Sequence, residues 1–204
     1  LAGCGQKKTE EALNTENRVE ESASCKDGYT FTDALGREVT VNTPKRVAAL
    51  LGSYADIWYL AGGEVIASAD DAWDDFNLPM AEDALNLGMT KELSLEKLFE
   101  ADPDLVLASS NTQGNVEWLE TLEAADITVA YFEVNDFEDY LNVLKICTDI
   151  TGRADLYEKH GMAIREQIDQ VITKSKKRIE EAGKEAEAKL EEAKVKLAEI
   201  VREI

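Results

Sequence analysis

Asp70, Asp71, Asp74 and Asp75 crowd around Trp73 in a chain of 204 residues that holds a single histidine. Carboxylates at that density attract cationic or metal-bearing ligands. Their spacing is not that of a calcium loop, however, and a solvated acidic loop also accounts for them. His160 cannot supply the several ligands of a transition-metal site, and its place on an apolar helical stripe reads as packing. Catalysis has no frame here. There is no Gly-x-Ser-x-Gly elbow and no Gly-x-x-x-x-Gly-Lys phosphate loop, and Gly62-Gly63 lacks dinucleotide spacing. With no paired nucleophile and base, the residues point to binding rather than to an enzyme, with neither a cofactor nor a bound metal.

Charge narrows the partners. Lys and Arg number 22 against 42 Asp and Glu, a formal charge of −20, which repels phosphate backbones and argues against nucleic acid. The hydrophobic content of 44% suits a globular chain whose length fills one core rather than two full lobes. No apolar run is long enough to span a bilayer. Leu1-Ala2-Gly3-Cys4 has the form of a bacterial lipobox, so Cys4 is expected to carry lipid and to anchor the chain outside the cytoplasm. Gln6 to Lys26 has almost no large apolar residue and reads as a tether, making residues 1–28 one unit. Cys25 and Cys147 fit no metal or redox motif. They can pair in an oxidising compartment, or Cys147 can be a small buried apolar residue.

The elements that must position these groups follow from pattern. Tyr29 to Val41 reads as a hairpin turning at Asp33-Ala34-Leu35-Gly36, with Gly36 at positive φ. Val47 to Leu51 reads as a strand covered on both faces. Ser53 is expected to cap the next helix with Asp56, and Gly62-Gly63 to end it. A strand over Glu64–Ala69 and a loop over Asp70–Phe76 follow. Ser94 caps a helix from Leu95 to Glu100, and Leu105 to Ala108 is the next strand. A helix from about Gln113 to Ala125 leads to a strand at Ile127–Phe132, and Asp136 caps a helix that Gly152 ends. Strands alternating with helices predict an α/β lobe with a doubly wound, mainly parallel sheet over residues 29–152.

Ligands of open α/β sheets sit beyond the carboxyl ends of the strands. That rule selects Tyr54, Asp71, Trp73, Ser110, Asn111 and Glu133 as candidate ligand-binding residues. The flat rings of Tyr54 and Trp73 suit a macrocycle, although Trp73 packing its own loop is an equal alternative. Residues 153–183 keep one helical face through Leu156, His160, Ile164, Ile168, Val171, Ser175 and Ile179. Residues 184–204 turn to Ala, Glu, Lys and Leu with a stripe at Leu190, Ala193, Leu197, Ile200, Val201 and Ile204. They read as a two-helix hairpin or as a continuing helix laid against the domain, and their regularity is that of designed sequence.

Three stretches carry a resemblance to a family. They are Phe31-Thr32-Asp33-Ala34-Leu35-Gly36-Arg37-Glu38-Val39 with Pro44-Lys45-Arg46-Val47; Leu93-Ser94-Leu95-Glu96 with Ala101-Asp102-Pro103-Asp104-Leu105-Val106-Leu107; and Ile150-Thr151-Gly152-Arg153. In this order the chain from Tyr29 to Lys176 resembles the substrate-binding proteins of ABC importers for iron-siderophores, haem and cobalamin. The resemblance implies two α/β lobes joined by a long helix, here residues 153–183, with ligand between the lobes. It implies ABC permease subunits as partners, docked through Glu96, and a small iron or corrinoid complex as ligand. No β-rich segment opens a second lobe, so residues 184–204 are expected to stand in its place. On this reading the chain is a truncated lobe of such a lipoprotein, or alternatively an engineered or truncated scaffold that binds nothing.

Overall fold

In the computed structural model, which describes residues 28–203, seven strands and seven α-helices form one α/β lobe followed by an eighth, long helix. The expectations for Cys4, Cys25, the tether and Ile204 lie outside the described residues. A hairpin of β1 (Tyr29–Thr32) and β2 (Glu38–Val41) precedes a parallel sheet. That sheet has the order β5 (Leu85–Asn86), β4 (Ala67–Ser68), β3 (Val47–Ala49), β6 (Leu105–Ser109), β7 (Thr128–Phe132). β3 therefore has its successor on one side and a strand more than fifty residues later on the other.

Alternation along the strands builds two cores. Val47 and Ala49 of β3, Leu105 and Leu107 of β6, and Ala130 and Phe132 of β7 face one cluster. Covering it are Tyr54, Ile57 and Trp58 from α1 (Gly52–Leu60) and Val143, Leu144 and Cys147 from α6 (Phe137–Thr151). The residues between them, Ala48, Val106, Ala108, Val129 and Tyr131, face a second cluster with Leu98 of α3 (Leu95–Ala101) and Leu122 of α5 (Leu119–Glu123). A strand buried on both faces must be apolar throughout, which is why these runs are legible in sequence. Cys147 is a free, buried thiol, and burial pushes its pKa up to about 12.

The family-like motifs are pins at strand ends. Asp33 is buried in the hairpin turn. Its carboxylate accepts the Leu35 and Arg37 N–H groups at 3.0 Å each and two bonds from the Arg37 guanidinium at 3.1 and 2.6 Å. Arg37 also donates to the Val129 carbonyl at 2.8 Å and to Glu123 at 2.7 Å, and lies over the Tyr131 ring at 5.3 Å. With Ala34 N–H on the Tyr131 carbonyl at 2.8 Å, the hairpin is fastened to β7. At the starts of β3 and β6, Asp104 accepts the Lys45 and Arg46 N–H groups at 2.8 and 3.0 Å. Arg46 in turn donates to the carbonyls of Asp102 and Ala101. In the third motif, Thr151 donates to the Ala61 carbonyl at 2.7 Å, tying α6 to the end of α1, and Gly152 at φ 72° ends α6.

Several sequence expectations need correction. Ser53 does not cap α1: Leu51 holds the cap position without a side-chain bond, and Asp71 of a different loop supplies the acceptor. The strand at Glu64–Ala69 shrinks to Ala67–Ser68, and Asp70–Phe76 contains the one-turn helix α2 (Asp71–Asp74). Gln113–Ala125 is two short helices, α4 (Gln113–Glu117) and α5, meeting at Trp118. β5 has no sequence signal, because two residues are too few for a period. Beyond α6 come α7 (Ala154–Tyr157), a π-helical turn Glu158–Met162, and α8 (Ala163–Arg202). α8 is one unbroken 40-residue helix rather than a hairpin. It is not laid against the domain either, since every described residue from Glu166 onward is exposed. Gly183 does not break it, since an exposed helical glycine costs only about 1 kcal/mol.

Arg37→Met should leave the fully buried Asp33 carboxylate without its cation and lower stability by about 3 kcal/mol, the low end for a broken buried pair because Arg37 is itself partly solvated. Thermal melts should shift down by roughly 6–12 °C; an unchanged melt would mean that the pin carries nothing.

Candidate functional site

The carboxyl edge of the sheet gathers the candidate residues into two groups, one on each side of the β3–α1 turn. The order of the sheet reverses between β3 and β6, so their ends diverge into different loops, the usual ligand position in such sheets.

On the β4 side, the Asp71 carboxylate accepts the Gly52 N–H at 2.8 Å and so occupies the open N-terminus of α1. The approach is close: a Cβ on Gly52 would lie 2.7 Å from the Ala72 nitrogen and 2.8 Å from the Phe76 ring. Only glycine lets α2 seat there. Desolvation raises the Asp71 pKa, the Gly52 bond opposes this, and the charges of Asp70 and Asp75 add to the rise. Trp73, one residue past the buried Ala72, is half-buried and packs against the core cluster that contains Tyr54. Beside α2, Asp70, Asp71, Asp74 and Asp75 face Met89, Thr90, Lys91 and Glu92 across a cleft of about 470 Å³.

The far wall of that cleft is the part missed in the sequence. Leu87 N–H donates to the Ser68 carbonyl and Asp70 N–H to the Gly88 carbonyl, which brings the loop after β5 against the β4 loop. The available signal was Asn86-Leu87-Gly88: Asn86 Oδ1 accepts the Gly88 N–H at 2.8 Å, and Gly88 takes φ 102°. α3 begins at the same edge, where Ser94 N–H donates to the Leu87 carbonyl and Ser94 Oγ caps Lys97 N–H at 3.2 Å. This places Glu96 in the exposed first turn of α3, where a carboxylate also complements the helix dipole.

On the β6 and β7 side, the Phe132 carbonyl collects three donors: Tyr54 Oη at 2.9 Å, Ser110 N–H at 3.0 Å and Ser110 Oγ at 3.3 Å. Tyr54 is only 5% exposed and meets the Phe132 ring edge-on at 5.9 Å. Its ring is therefore packed beneath the edge instead of offering a face, and burial raises its pKa. Ser110 is half-buried, while Asn111 and Glu133 are exposed; Glu133 accepts from Asn135 Nδ2 at 2.9 Å. The turn after β6 is fixed by a residue not singled out in the sequence. Buried Asn115 accepts the Ser109 N–H at 3.2 Å through Oδ1, and its carbonyl accepts Tyr131 Oη at 2.6 Å. Ser109 Oγ then accepts the Asn111 N–H at 3.1 Å, setting where Asn111 stands.

Among the described residues no group of three or more His, Cys, Asp or Glu side chains is arranged to hold a metal ion, and no described helix is long and apolar enough to cross a membrane. His160 is half-buried at the π-helical turn, where desolvation and Lys159 lower its pKa against the pull of Asp56. What the edge offers is a set of polar backbone and side-chain groups at the loops that follow the strands.

Residues 47–200 match the family model described as periplasmic binding protein, well over half of the chain. The chain belongs to that family. Solved structures agree in fold. One is the siderophore binding protein BauB, solved with two molecules of acinetobactin and ferric iron, at 18% identity and TM-score 0.59, covering 71% of this chain and 53% of that one. Another is the vitamin B12 binding protein BtuF of Vibrio cholerae, at 17% identity and TM-score 0.54, covering 65% and 51%. A third is a periplasmic haem binding protein from Pseudomonas aeruginosa, at 21% and 0.52, covering 62% and 45%. The chain thus spans about half the length of these structures. Comparison with curated protein sequences gives no significant match.

Because Asp71 has a raised pKa, the folded state holds its proton more tightly than the unfolded chain does. Its contribution to stability therefore falls as pH rises from the ordinary carboxylate range through the folded value. Asp71→Asn keeps an acceptor for Gly52 N–H and removes the charge. The variant should melt slightly higher than the parent at pH 7, and the gap should close below about pH 4. A gap of equal size at both pH values would show that charge at Asp71 plays no part.

Proposed function

We propose that this chain is the ligand-recognising lobe of an extracytoplasmic binding protein serving an ABC importer, and that it takes an iron-siderophore, haem or corrinoid complex. The observation that supports this reading is the carboxyl edge of a periplasmic-binding-protein lobe, where the strand order reverses between the loop that carries Trp73 and the acidic cleft on one side and the loops that carry Ser110, Asn111 and Glu133 on the other. A ring such as Trp73 can cover a flat or chelated ligand at little entropic cost, and Asn111 and Glu133 present polar groups to its periphery. Asp71 bears on binding through the seating of α2, and Tyr54 bears on it by holding the Phe132 carbonyl at the end of β7. The function is capture and delivery; no group at the edge is arranged for bond making or breaking.

Glu96 is the proposed contact with the permease, where an exposed carboxylate at a capped helix start can meet an arginine of the membrane subunit. Cys4 is the proposed lipid attachment point, holding the lobe at the outer face of the bacterial cell membrane.

Intrinsic tryptophan fluorescence should quench saturably on titration with one class among ferric siderophores, haem and cobalamin, and Trp73→Ala should weaken that binding by roughly tenfold or more. A folded sample that responds to none of the three would show the lobe to be a scaffold without ligand binding. Glu96→Ala should leave that titration unchanged while reducing transport in a reconstituted importer, and intact transport would remove Glu96 from the docking surface.

A further inference from the structure

Tyr131 joins two parts of the lobe that lie far apart in sequence. It is fully buried in β7, with its side chain in the second core cluster. The hairpin turn holds its backbone: Ala34 N–H donates to its carbonyl at 2.8 Å, and its own N–H donates to the Asp33 carboxylate at 3.4 Å. Arg37, paired with Asp33, lies over the ring. The ring is thus fixed at its base and on one face. Its hydroxyl donates to a single acceptor, the Asn115 carbonyl, at 2.6 Å.

That acceptor belongs to the turn after β6. Asn115 is 2% exposed, and its Oδ1 accepts the N–H of Ser109, the last residue of β6, at 3.2 Å. Ser109 Oγ accepts the Asn111 N–H, and the Phe132 carbonyl takes both the N–H and the hydroxyl of Ser110. Every residue of the turn is therefore held by a polar group of the lobe itself. β6 is one of the two strands between which the sheet order reverses, so this turn stands where such sheets take their ligands.

Packing alone does not ask for these polar groups. A phenyl ring at position 131 and an isobutyl side chain at 115 would fill nearly the same space. A buried hydroxyl or amide costs free energy unless it finds a partner. We infer that Tyr131 and Asn115 are positioning residues, which together lock the Ser109–Asn111 turn so that Asn111 meets the ligand already in place. The inference rests on the proposed reading of Asn111 as a ligand contact. A turn ordered in advance raises affinity, because the cost of ordering it is removed from the binding step. Burial pushes the Tyr131 hydroxyl up to about 12, so it stays protonated and donates throughout the neutral range.

Hydrogen exchange of the full chain tests the lock without any ligand. Tyr131→Phe removes the hydroxyl and keeps the ring beneath Arg37. Exchange at the Ser109, Ser110 and Asn111 amides should quicken by about three- to tenfold, the worth of one hydrogen bond. Thr151→Val deletes a different tertiary bond, the one at 2.7 Å between the ends of α6 and α1, and is the matched control. It should speed only those amides that open with the whole lobe and leave the turn as in the parent. An unchanged turn in Tyr131→Phe, or the same acceleration in Thr151→Val, overturns the lock.

Tryptophan titrations with haemin, cyanocobalamin and ferric desferrioxamine test its consequence. Whichever of them binds the parent should bind Tyr131→Phe about three- to tenfold more weakly. In an Asn111→Ala background the same substitution should have no further effect. Equal affinity for parent and Tyr131→Phe, or an equal loss in both backgrounds, overturns the positioning role and leaves the proposed function standing. A parent that binds none of the three overturns the proposed function and the positioning role together, and the exchange result then describes a structural turn.

Discussion

The lobe depends on β3 and β6 lying side by side although more than fifty residues separate them. Closing that distance costs chain entropy, which burial of both strands in the two cores offsets, and the strand starts are pinned together as well. There Asp104 receives two consecutive backbone N–H groups from Lys45 and Arg46, and Arg46 returns bonds to the carbonyls of Asp102 and Ala101. The clamp fixes register before any strand hydrogen bond is counted. With it go the reversal of strand order and the divergence of the loops at the opposite edge.

The carboxyl edge of the sheet is held by a second economy of groups. The open N-terminus of α1 is satisfied by Asp71, and the Phe132 carbonyl is shared by Tyr54 and Ser110, so each anchoring bond also positions a loop. One consequence is that the charge of Asp71 is partly desolvated among other carboxylates, a strained arrangement for a purely structural residue. The same crowding makes the cleft between α2 and the loop after β5 strongly electronegative. Affinity for a ligand there would depend on salt and pH more than that of an apolar pocket does.

α8 obeys different physics from the lobe. Its Lys–Glu pairs contribute a few tenths of a kcal/mol each, enough to favour the helical state but not to bury anything. The amphipathic pattern shows that a face is meant to be covered, while pattern alone is silent about what covers it. Reading residues 184–204 as lying on the domain failed for that reason: period describes a helix, and the packing partner lies outside the period.

Local physics made much of the fold legible from the residues alone. The Asp33–Gly36 turn, the Ser94 and Asp136 caps, the Gly152 stop and the doubly buried runs of β3, β6 and β7 depend on neighbours within a few positions. The three family-like stretches were informative for the same reason, since each proves to be a pin at a strand or helix end. They speak to the fold, not to the ligand. The candidate site was legible only as a set of loops, because the rule about carboxyl edges needs the strand sequence and nothing more. Tertiary structure decided the rest. Asp71 caps a helix that starts 19 positions earlier, Tyr54 is buried by a strand 78 positions later, and the Met89–Glu92 wall exists because a two-residue strand borrows its order from β4. Such contacts have no period and no spacing, so a single sequence cannot display them; only closure of the sheet brings the partners together.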